Sequence, residues 1–338
     1  MAVFRPPSVH GPALAGRRAR VVIAGLALSA VLALLWALSA GELDIPAGTV
    51  FGALFGSEQG MSAAIIRELR LPRAVAAFVC GGLLATAGAL MQVLLRNPLA
   101  DPYILGISGG AAVGALGAIT LGAASFWIDA SAFAGALTAM LLVFGLAHGD
   151  GSWTQTRLLL TGVIVAAGCG AAVSLMLALA SDTRVKSMLF WLMGDASAAV
   201  RPWPALVVLV GALALVAPCA RDLNVLARGE LGARALGVAV PRLRVGLYVL
   251  ASLLTATAVT LVGSVGFVGL IVPHLVRLAL GNDQRVLIPA AALAGGTLLT
   301  LADTAARTVI APQQLPVGVL TALIGVPVFL FLLSRSPR

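Results

Sequence analysis

Long apolar segments alternate with short polar segments along almost the whole chain. The clearest apolar segment, 71–95, has about 25 residues and one charge near its start, Arg73, which is enough for a helix that crosses a bilayer at about 1.5 Å per residue. The polar segment 96–102 follows, and its two prolines lack the N–H group that a continuing helix needs. The pattern therefore predicts a membrane-spanning helix that ends in a tight turn.

The same pattern predicts one all-α polytopic membrane domain with ten spanning helices. A broken or re-entrant segment is the alternative at 266–280, because that span is short and is entered through a glycine-rich stretch. The segment 1–20 and the last residues, 335–338, are expected in the cytoplasm, on either side of the membrane domain at 21–334. The predicted spans are 21–40, 71–95, 103–122, 131–148, 157–180, 202–220, 245–265, 266–280, 287–305 and 316–334.

Composition supports an integral membrane protein. Of all residues, 60% are hydrophobic and 10% are charged, against about a quarter charged in soluble domains, and the mean hydropathy is +1.04. The net charge of +9 comes from arginines scattered between apolar spans, which argues against a nucleic-acid-binding face. The ten-span topology places fifteen of the 22 basic side chains inside and seven outside, as the positive-inside rule requires.

The sequence lacks the residue patterns of common catalytic and metal sites. The three histidines and three cysteines are dispersed, and the single lysine, Lys186, is not in a phosphate-binding loop, so we expect no metal site and no ATP hydrolysis by this chain. Asp303, inside an apolar span, is interpreted as an ion-pair partner of Arg307 four residues later. A proton-relay role for Asp303 would instead suit an ion-coupled secondary transporter, although no internal repeat is evident.

Two polar intervals have mixed character. The segment 181–201 carries apolar residues flanked by charges and favours a short helix at the outer interface, serving either as an anchored connector or at a substrate entrance. The longest charged interval inside, 221–244, has apolar residues near helical spacing but several glycines. This interval is compatible with two structures. One is a helix that is stable only with a partner, and the other is a solvated loop.

Several motifs in the chain resemble the FecCD/BtuC family, the permease subunits of type II ABC importers. The resemblance covers about residues 20–335 and places a BtuC-like ten-helix fold there. The motifs are Arg70-Leu71-Pro72-Arg73, the run from Met91-Gln92 to Asp101-Pro102, Leu105-Gly106 with Ser108-Gly109-Gly110, Gly266 to His274, Leu315 to Val319 and Gly325 to Phe329.

The resemblance implies a subunit of a larger transporter in the bacterial inner membrane. The implied assembly is a permease homodimer with two cytoplasmic ABC ATPases, and a periplasmic binding protein that delivers an iron-siderophore, haem or cobalamin. Both termini of each permease would be cytoplasmic, and transport would proceed by ATP-driven alternating access. This chain would bind no cofactor itself, because ATP and Mg belong to the partner ATPase.

The resemblance also assigns three groups of residues. A cytoplasmic coupling helix that contacts the ATPase is implied at about 222–237, where Arg228 departs from the apolar residue expected. The binding-protein docking residues are Arg70, Arg73 and Arg307; the coupling residues are Leu226, Gly229, Glu230, Leu231, Ala233, Leu236 and Gly237; and the cytoplasmic gate residues are Asn97, Leu99, Thr154, Gln155 and Thr156.

Overall fold

The computed structural model describes residues 12–41, 43–147, 154–199 and 201–335, and all regular structure in these ranges is helical. The predicted cytoplasmic residues 1–11 and 336–338 lie outside the described residues. The helices are α1 (Pro12–Ser39), α2 (Ala47–Phe55), α3 (Met61–Ala64), α4 (Leu71–Leu94), α5 (Ile107–Thr120), α6 (Ser125–Ala147), α7 (Gln155–Leu179), α8 (Asp182–Met193), α9 (Trp203–Arg228), α10 (Glu230–Ala235), α11 (Val240–Val262), α12 (Val268–Leu280), α13 (Gln284–Thr308) and α14 (Val317–Arg335).

The predicted all-α membrane fold is confirmed, and a helix lies at each of the ten predicted spans. Within the described part of the chain, seven helical stretches are long and apolar enough to cross a membrane, whereas α5, α12 and α14 are shorter apolar helices. The number of crossings therefore stays a prediction. A π-helical turn, Ile65–Arg70, joins α3 to α4 without a break, and the helices of 47–70 were not predicted.

Helix α4 forms the centre of the bundle. Pro72 lies where the π-helical turn passes into α4, and its missing N–H interrupts the helical hydrogen bonds at that junction. Every residue of α4 from Val79 to Leu94 is buried inside the protein. Glycines allow this burial: a methyl group on Gly81 would overlap the backbone of Gly295 in α13, and one on Gly82 would lie 2.9 Å from Leu209 of α9. Small residues thus let neighbouring backbones approach closely, as in other membrane bundles.

Helix α12 begins deep inside the bundle. It has 13 residues, about 20 Å of helix, and its second residue, Gly269, lies beside Leu84, midway along α4. Phe267, immediately before the helix, has a left-handed backbone with φ 70°. The predicted span 266–280 is therefore helical only from Val268, after a non-helical entry at 263–267.

Two groups of four helices each have a short second helix between two long ones. Helices α4 to α7 have 24, 14, 23 and 25 residues, and α11 to α14 have 23, 13, 25 and 19. The first helix of each group packs on the third helix of the other: α4 lies against α13, and the Tyr248 hydroxyl of α11 donates to the Met140 carbonyl of α6 at 2.8 Å. We call the end of the bundle with Arg70 and Arg73 the outer end and the end with Arg96 and α10 the inner end. Since α4 begins at the outer end and α11 at the inner end, the groups are inverted, as in many transporters.

Replacing Gly88 tests the close helix contact. A methyl group there would overlap the backbone of Gly269, so Gly88→Ala is expected to destabilise the protein by about 2 kcal/mol through overpacking. In Gly211→Ala, the control within α9, the methyl group meets nothing within 4 Å. It should leave stability unchanged or raise it by up to about 1 kcal/mol. The measurement is thermal unfolding in detergent, and equal unfolding temperatures for the two variants would contradict this packing.

Candidate functional site

Two of the three predicted docking arginines hold the outer end of α1. Arg70 donates from Nη1 to the carbonyl oxygens of Leu38 and Ser39, both at 2.8 Å, and Arg307 donates to the carbonyl of Ala37. The last carbonyls of a helix lack partners within it and carry partial negative charge, so guanidinium groups stabilise them. Arg70 and Arg307 therefore fix the C-terminal end of α1 against α4 and α13.

The third docking arginine, Arg73, pairs with Asp303. Its Nε lies 2.9 Å from one carboxylate oxygen and its Nη2 lies 3.0 Å from the other, while Nη1 donates to Oε1 of Gln314 at 2.9 Å. The side chains are 14% and 4% exposed. The predicted ion pair of Asp303 with Arg307 is therefore wrong: Arg307 points to α1, and Asp303 is satisfied by the neighbouring helix.

The glycine contact explains why Arg73 and Asp303 meet. Helices α4 and α13 are antiparallel and touch at Gly81 and Gly295. Arg73 precedes Gly81 by eight residues and Asp303 follows Gly295 by eight, so both side chains lie at the same height. A single charge of opposite sign near the outer end of each of two apolar spans was the sequence signal for this pair.

The structure brings the three predicted docking residues together but directs their guanidinium groups inward. Arg70 is only 8% exposed and Arg73 is largely covered by Asp303 and Gln314. The neighbouring Arg67 is exposed, with its Nε donating to the carbonyl of Ala53 at 2.6 Å. The docking role of the three predicted residues stays a prediction.

A cavity of about 1370 Å³ opens beside α8 at the outer end. Helix α8 confirms the short helix predicted within 181–201. The cavity lies between the outer ends of α6, α9 and α11, and charges of both signs line it with aromatic rings. Its lining includes Phe126, Asp129, Lys186, Trp191, Asp195 and Arg201.

At the inner end, Gln155 joins the two segments predicted to form the gate. Its Nε2 donates to the Leu94 carbonyl at the end of α4 at 3.1 Å, and its Oε1 lies 3.5 Å from Nη2 of Arg96. Thr154 caps α7 by accepting from the N–H of Arg157 at 3.2 Å. The start of α7 is thereby tied to the loop that follows α4.

The other gate residues shape the loop after α4. Asn97 accepts from the N–H of Leu99 at 2.9 Å, a local turn stabilised by the side chain. Asp101 accepts from the N–H of Tyr103 at 2.7 Å, and burial raises the pKa of Asp101 to about 6, against the lowering effect of that hydrogen bond. Thr156 is exposed on the first turn of α7. The structure thus brings Asn97, Leu99 and Gln155 to one end of the bundle.

The segment predicted as one coupling helix, 222–237, consists of two helical pieces. Helix α9 continues to Arg228, Gly229 breaks it with φ 143°, and α10 covers Glu230–Ala235. Only glycine adopts such a backbone easily. Gly237, with φ 81°, then turns the chain towards α11.

Helix α10 buries one face and exposes two leucines. Ala233 is fully buried, as is most of Leu226 on α9, whereas Leu231 is 85% and Leu236 is 73% exposed. Glu230 fixes the helix by pairing with Arg234 at 2.6 Å and with Arg244 of α11 at 3.2 Å. Leu231 and Leu236 are therefore exposed at the inner end on a segment that these two ion pairs hold in place.

Sequence reasoning missed Asn224 and Asp283, which connect α9 to α13 at the inner end. Nδ2 of Asn224 donates to Oδ1 of Asp283 at 2.8 Å, and its Oδ1 accepts from the N–H of Gln284 at 2.8 Å. Aspartate before an apolar helix was a recognisable cap signal. Nothing in the sequence indicated the partner 59 residues away.

The described helices form two inverted four-helix groups. Arginines lie together at the outer end, and the apolar side chains of Leu231 and Leu236 are exposed at the inner end. This is the architecture of a polytopic membrane transporter. In residues 12–41, 43–147, 154–199 and 201–335, no three His, Cys, Asp or Glu side chains are grouped to hold a metal.

Comparison with known proteins gives the family. The model of the FecCD transport family matches residues 19–335, and the chain belongs to that family. It is therefore a membrane permease of an ABC transporter.

Similar permeases and a solved structure match this chain over most of its length. The vitamin B12 import system permease protein BtuC of Escherichia coli is 38% identical, covering 93% of this chain and 94% of its own. The hemin transport system permease protein HmuU of Yersinia pestis is 41% identical, covering 80% and 83%. A solved inward-facing structure of a metal-chelate type ABC transporter matches with a TM-score of 0.80 at 30% identity, covering 94% of this chain and all of that one.

Removing Arg73 tests the buried ion pair. Arg73→Met is expected to lower the free energy of unfolding by about 3 kcal/mol, because it leaves the Asp303 carboxylate buried without its counter-ion. Adding Asp303→Asn removes that charge and should recover most of the loss. Arg67→Met, at an exposed neighbouring arginine, serves as the control and should change stability by less than about 1 kcal/mol. Thermal unfolding in detergent measures all four proteins, and a double variant no more stable than Arg73→Met would contradict the pairing.

Proposed function

We propose that this permease forms a homodimer that imports a metal chelate across the bacterial inner membrane. Two ATP-hydrolysing subunits bind the inner end, where both termini of each permease lie, and a binding protein delivers substrate to the outer end. ATP and Mg belong to the ATPase subunits. This chain supplies the pathway, the two docking surfaces and the gates.

The exposed leucines of α10 carry the proposal. Leu231 lies on the six-residue helix α10 and Leu236 directly follows that helix, both outside any span long enough to be covered by lipid. Two large apolar side chains held out by a salt-bridged helix favour a protein partner with a hydrophobic groove. An ATPase subunit at the inner end is such a partner.

The exposure of α7 supports a homodimer. Only 6% of its most apolar window is buried, and Gly168 and Gly170 on this helix have open space beside them. Small residues on an otherwise uncovered membrane helix favour close packing against another helix. A second copy of the chain, which offers the same surface, satisfies this requirement by two-fold symmetry.

The outer end suits an acidic partner. Arg70, Arg73 and Arg307 lie together, with the Asp303 carboxylate bonded to Arg73 and Asp44 near Arg70, and Arg67 is exposed next to them. The resulting positive potential steers an acidic surface of a binding protein and fixes its orientation. Arg70 contributes charge to this face but mainly holds α1.

The relatives support a metal chelate as the substrate class. Related permeases import vitamin B12 and transport hemin, and both are large metal chelates. Binding of ATP to the partner subunits would move α10 and rock the two permeases, so that the loop of Asn97 and Leu99 and the start of α7 at Thr154 to Thr156 separate or close. Such a change requires ligands with different affinities for the two states.

An ion-coupled secondary transporter is the second candidate. Inverted four-helix groups occur in such transporters too, so the fold alone does not separate the two functions. Asp303 was the main sequence feature in favour of a secondary transporter. Its carboxylate is paired with Nε of Arg73 at 2.9 Å and is therefore not a free proton acceptor. The exposed side chains of Leu231 and Leu236 favour the ATP-driven importer, because they offer a surface for an ATPase subunit.

Charge substitution on α10 tests the ATPase surface. Leu231→Asp with Leu236→Asp is expected to abolish co-purification of the cognate ATPase, because two carboxylates would be desolvated in the interface. Both leucines are more than 70% exposed, so the unfolding temperature of the isolated permease should stay at the wild-type value. Leu231→Ala with Leu236→Ala provides a milder control with partial loss. An intact complex with the double Asp variant would reject α10 as the docking element.

Stimulation of ATP hydrolysis identifies the chelate. The complex in lipid nanodiscs is mixed with its binding protein loaded with cobalamin, haem or a ferric siderophore, with the empty binding protein as control. One loaded form is expected to raise the hydrolysis rate above the others, since docking selects the conformation that hydrolyses ATP. Equal rates with all forms and with no binding protein would contradict delivery at the outer end.

A further inference from the structure

We propose that Asn224 is a positioning residue that transmits movement of α10 to α13. The inference rests on the proposed function, in which an ATPase moves α10, and adds the route by which that movement reaches the outer end of the permease.

The side-chain amide of Asn224 makes two bonds to consecutive residues at the start of α13. It donates from Nδ2 to the carboxylate of Asp283 and accepts at Oδ1 from the N–H of Gln284, each at 2.8 Å. An amide fixed at both ends resists rotation and sliding of one helix past the other. The inner ends of α9 and α13 are thereby held in one register.

Capping of α13 explains only one of the two bonds, in which Asn224 accepts from the N–H of Gln284 at the start of the helix. Asp283 already caps the helix, because its Oδ1 accepts from the N–H of Arg285 at 3.1 Å. Asp283 is exposed, so water would satisfy its remaining lone pairs if Asn224 were absent. What Asn224 adds is a lateral connection between two helices.

The position of α9 makes this connection relevant to transport. Helix α9 touches both α10 and α13, and Leu223 and Leu226, beside Asn224 on α9, are buried. Ala233 on α10 is fully buried, so α10 is packed onto its neighbouring helices and moves together with them. A displacement of α10 therefore reaches α9 by packing and α13 through Asn224.

Helix α13 carries the displacement to the outer end. It runs along α4 through the glycine contact and ends at Asp303, which is bonded to Arg73, and Arg307, which holds α1. Its 25 residues span about 37 Å, and the helix continues through Pro289 to Thr308. Movement at Gln284 thus changes the surface where a binding protein would dock.

A donor and acceptor exchange tests the proposal. Asn224→Asp places two carboxylates against each other and replaces the bond to Asp283 by repulsion, although the N–H of Gln284 keeps an acceptor. Asn224→Asp with Asp283→Asn restores both bonds, because the amide introduced at position 283 then donates to the carboxylate introduced at position 224, which still accepts from the N–H of Gln284. Asp283→Asn alone is the matched control, since its side-chain oxygen can still accept from Asn224 and cap α13. Asn224→Ala removes the link without adding charge.

The readout is a fluorophore at the outer end of α13. It is attached to Val309→Cys, at a position that is 70% exposed, in a background with Cys169→Ser and Cys219→Ser, and Cys80 is fully buried. The permease is assembled with its ATPase in nanodiscs, and the emission change on adding ATP is measured together with ATPase co-purification, hydrolysis rate and unfolding temperature. This readout requires no knowledge of the transported chelate.

Asn224→Asp and Asn224→Ala are expected to reduce the ATP-induced emission change at least about fivefold, with assembly and hydrolysis retained. Asn224→Ala should also lower the unfolding temperature, because the N–H of buried Gln284 loses its acceptor. The exchanged pair should restore the change, and Asp283→Asn should behave as the wild type. A full emission change in Asn224→Ala, no change in the wild-type complex, or loss of the ATPase from Asn224→Asp would each overturn the proposal. Failure of the wild-type permease to bind any ATPase would instead refute the proposed function.

Discussion

The close approach of α4 to its neighbours is the constraint on which the rest of the structure depends. Lipid provides no hydrophobic driving force between helices, so association relies on tight packing, and glycine is the residue that permits it. The contact of Gly81 with Gly295 sets the register of α4 and α13, and the contact of Gly88 with Gly269 sets the depth at which α12 begins. Both ends of the permease are positioned from these contacts. At the outer end, Arg73 meets Asp303, and at the inner end, Gln155 meets the last turn of α4.

The two ends of the bundle present opposite chemistry. At the outer end, Arg70 and Arg307 donate to backbone carbonyl groups and Arg73 is paired with the Asp303 carboxylate, so the arginines are held in fixed positions. At the inner end, leucines are turned outward from α10, which is fixed by the pairs of Glu230. A charged surface favours a partner that binds transiently, whereas exposed apolar side chains such as Leu231 and Leu236 favour a partner that stays bound. This contrast matches a binding protein outside and an ATPase inside.

Much of this architecture could be predicted from the sequence, because apolar length and proline turns directly reflect the cost of exposing a backbone to lipid. The helix at 71–95 and the outer helix within 181–201 were identified in this way. The partner of Asp303 was not predicted correctly, because sequence spacing favoured Arg307 on the same helix. Only the packing of α4 on α13 brings Arg73 to Asp303. The link from Asn224 to Asp283 escaped for the same reason. The break at Gly229 depends on backbone geometry. The inverted four-helix groups share a short second helix and the packing of first on third helices, without a visible sequence repeat.

Uptake by proteoliposomes that contain the permease with its ATPase tests the central claim most directly. Vesicles are supplied with the loaded binding protein outside and either ATP inside or a proton or sodium gradient. Accumulation of cobalamin, haem or a ferric siderophore that requires internal ATP and hydrolysis is the result expected of an ATP-driven importer. Accumulation driven by an ion gradient in the absence of ATP would contradict it.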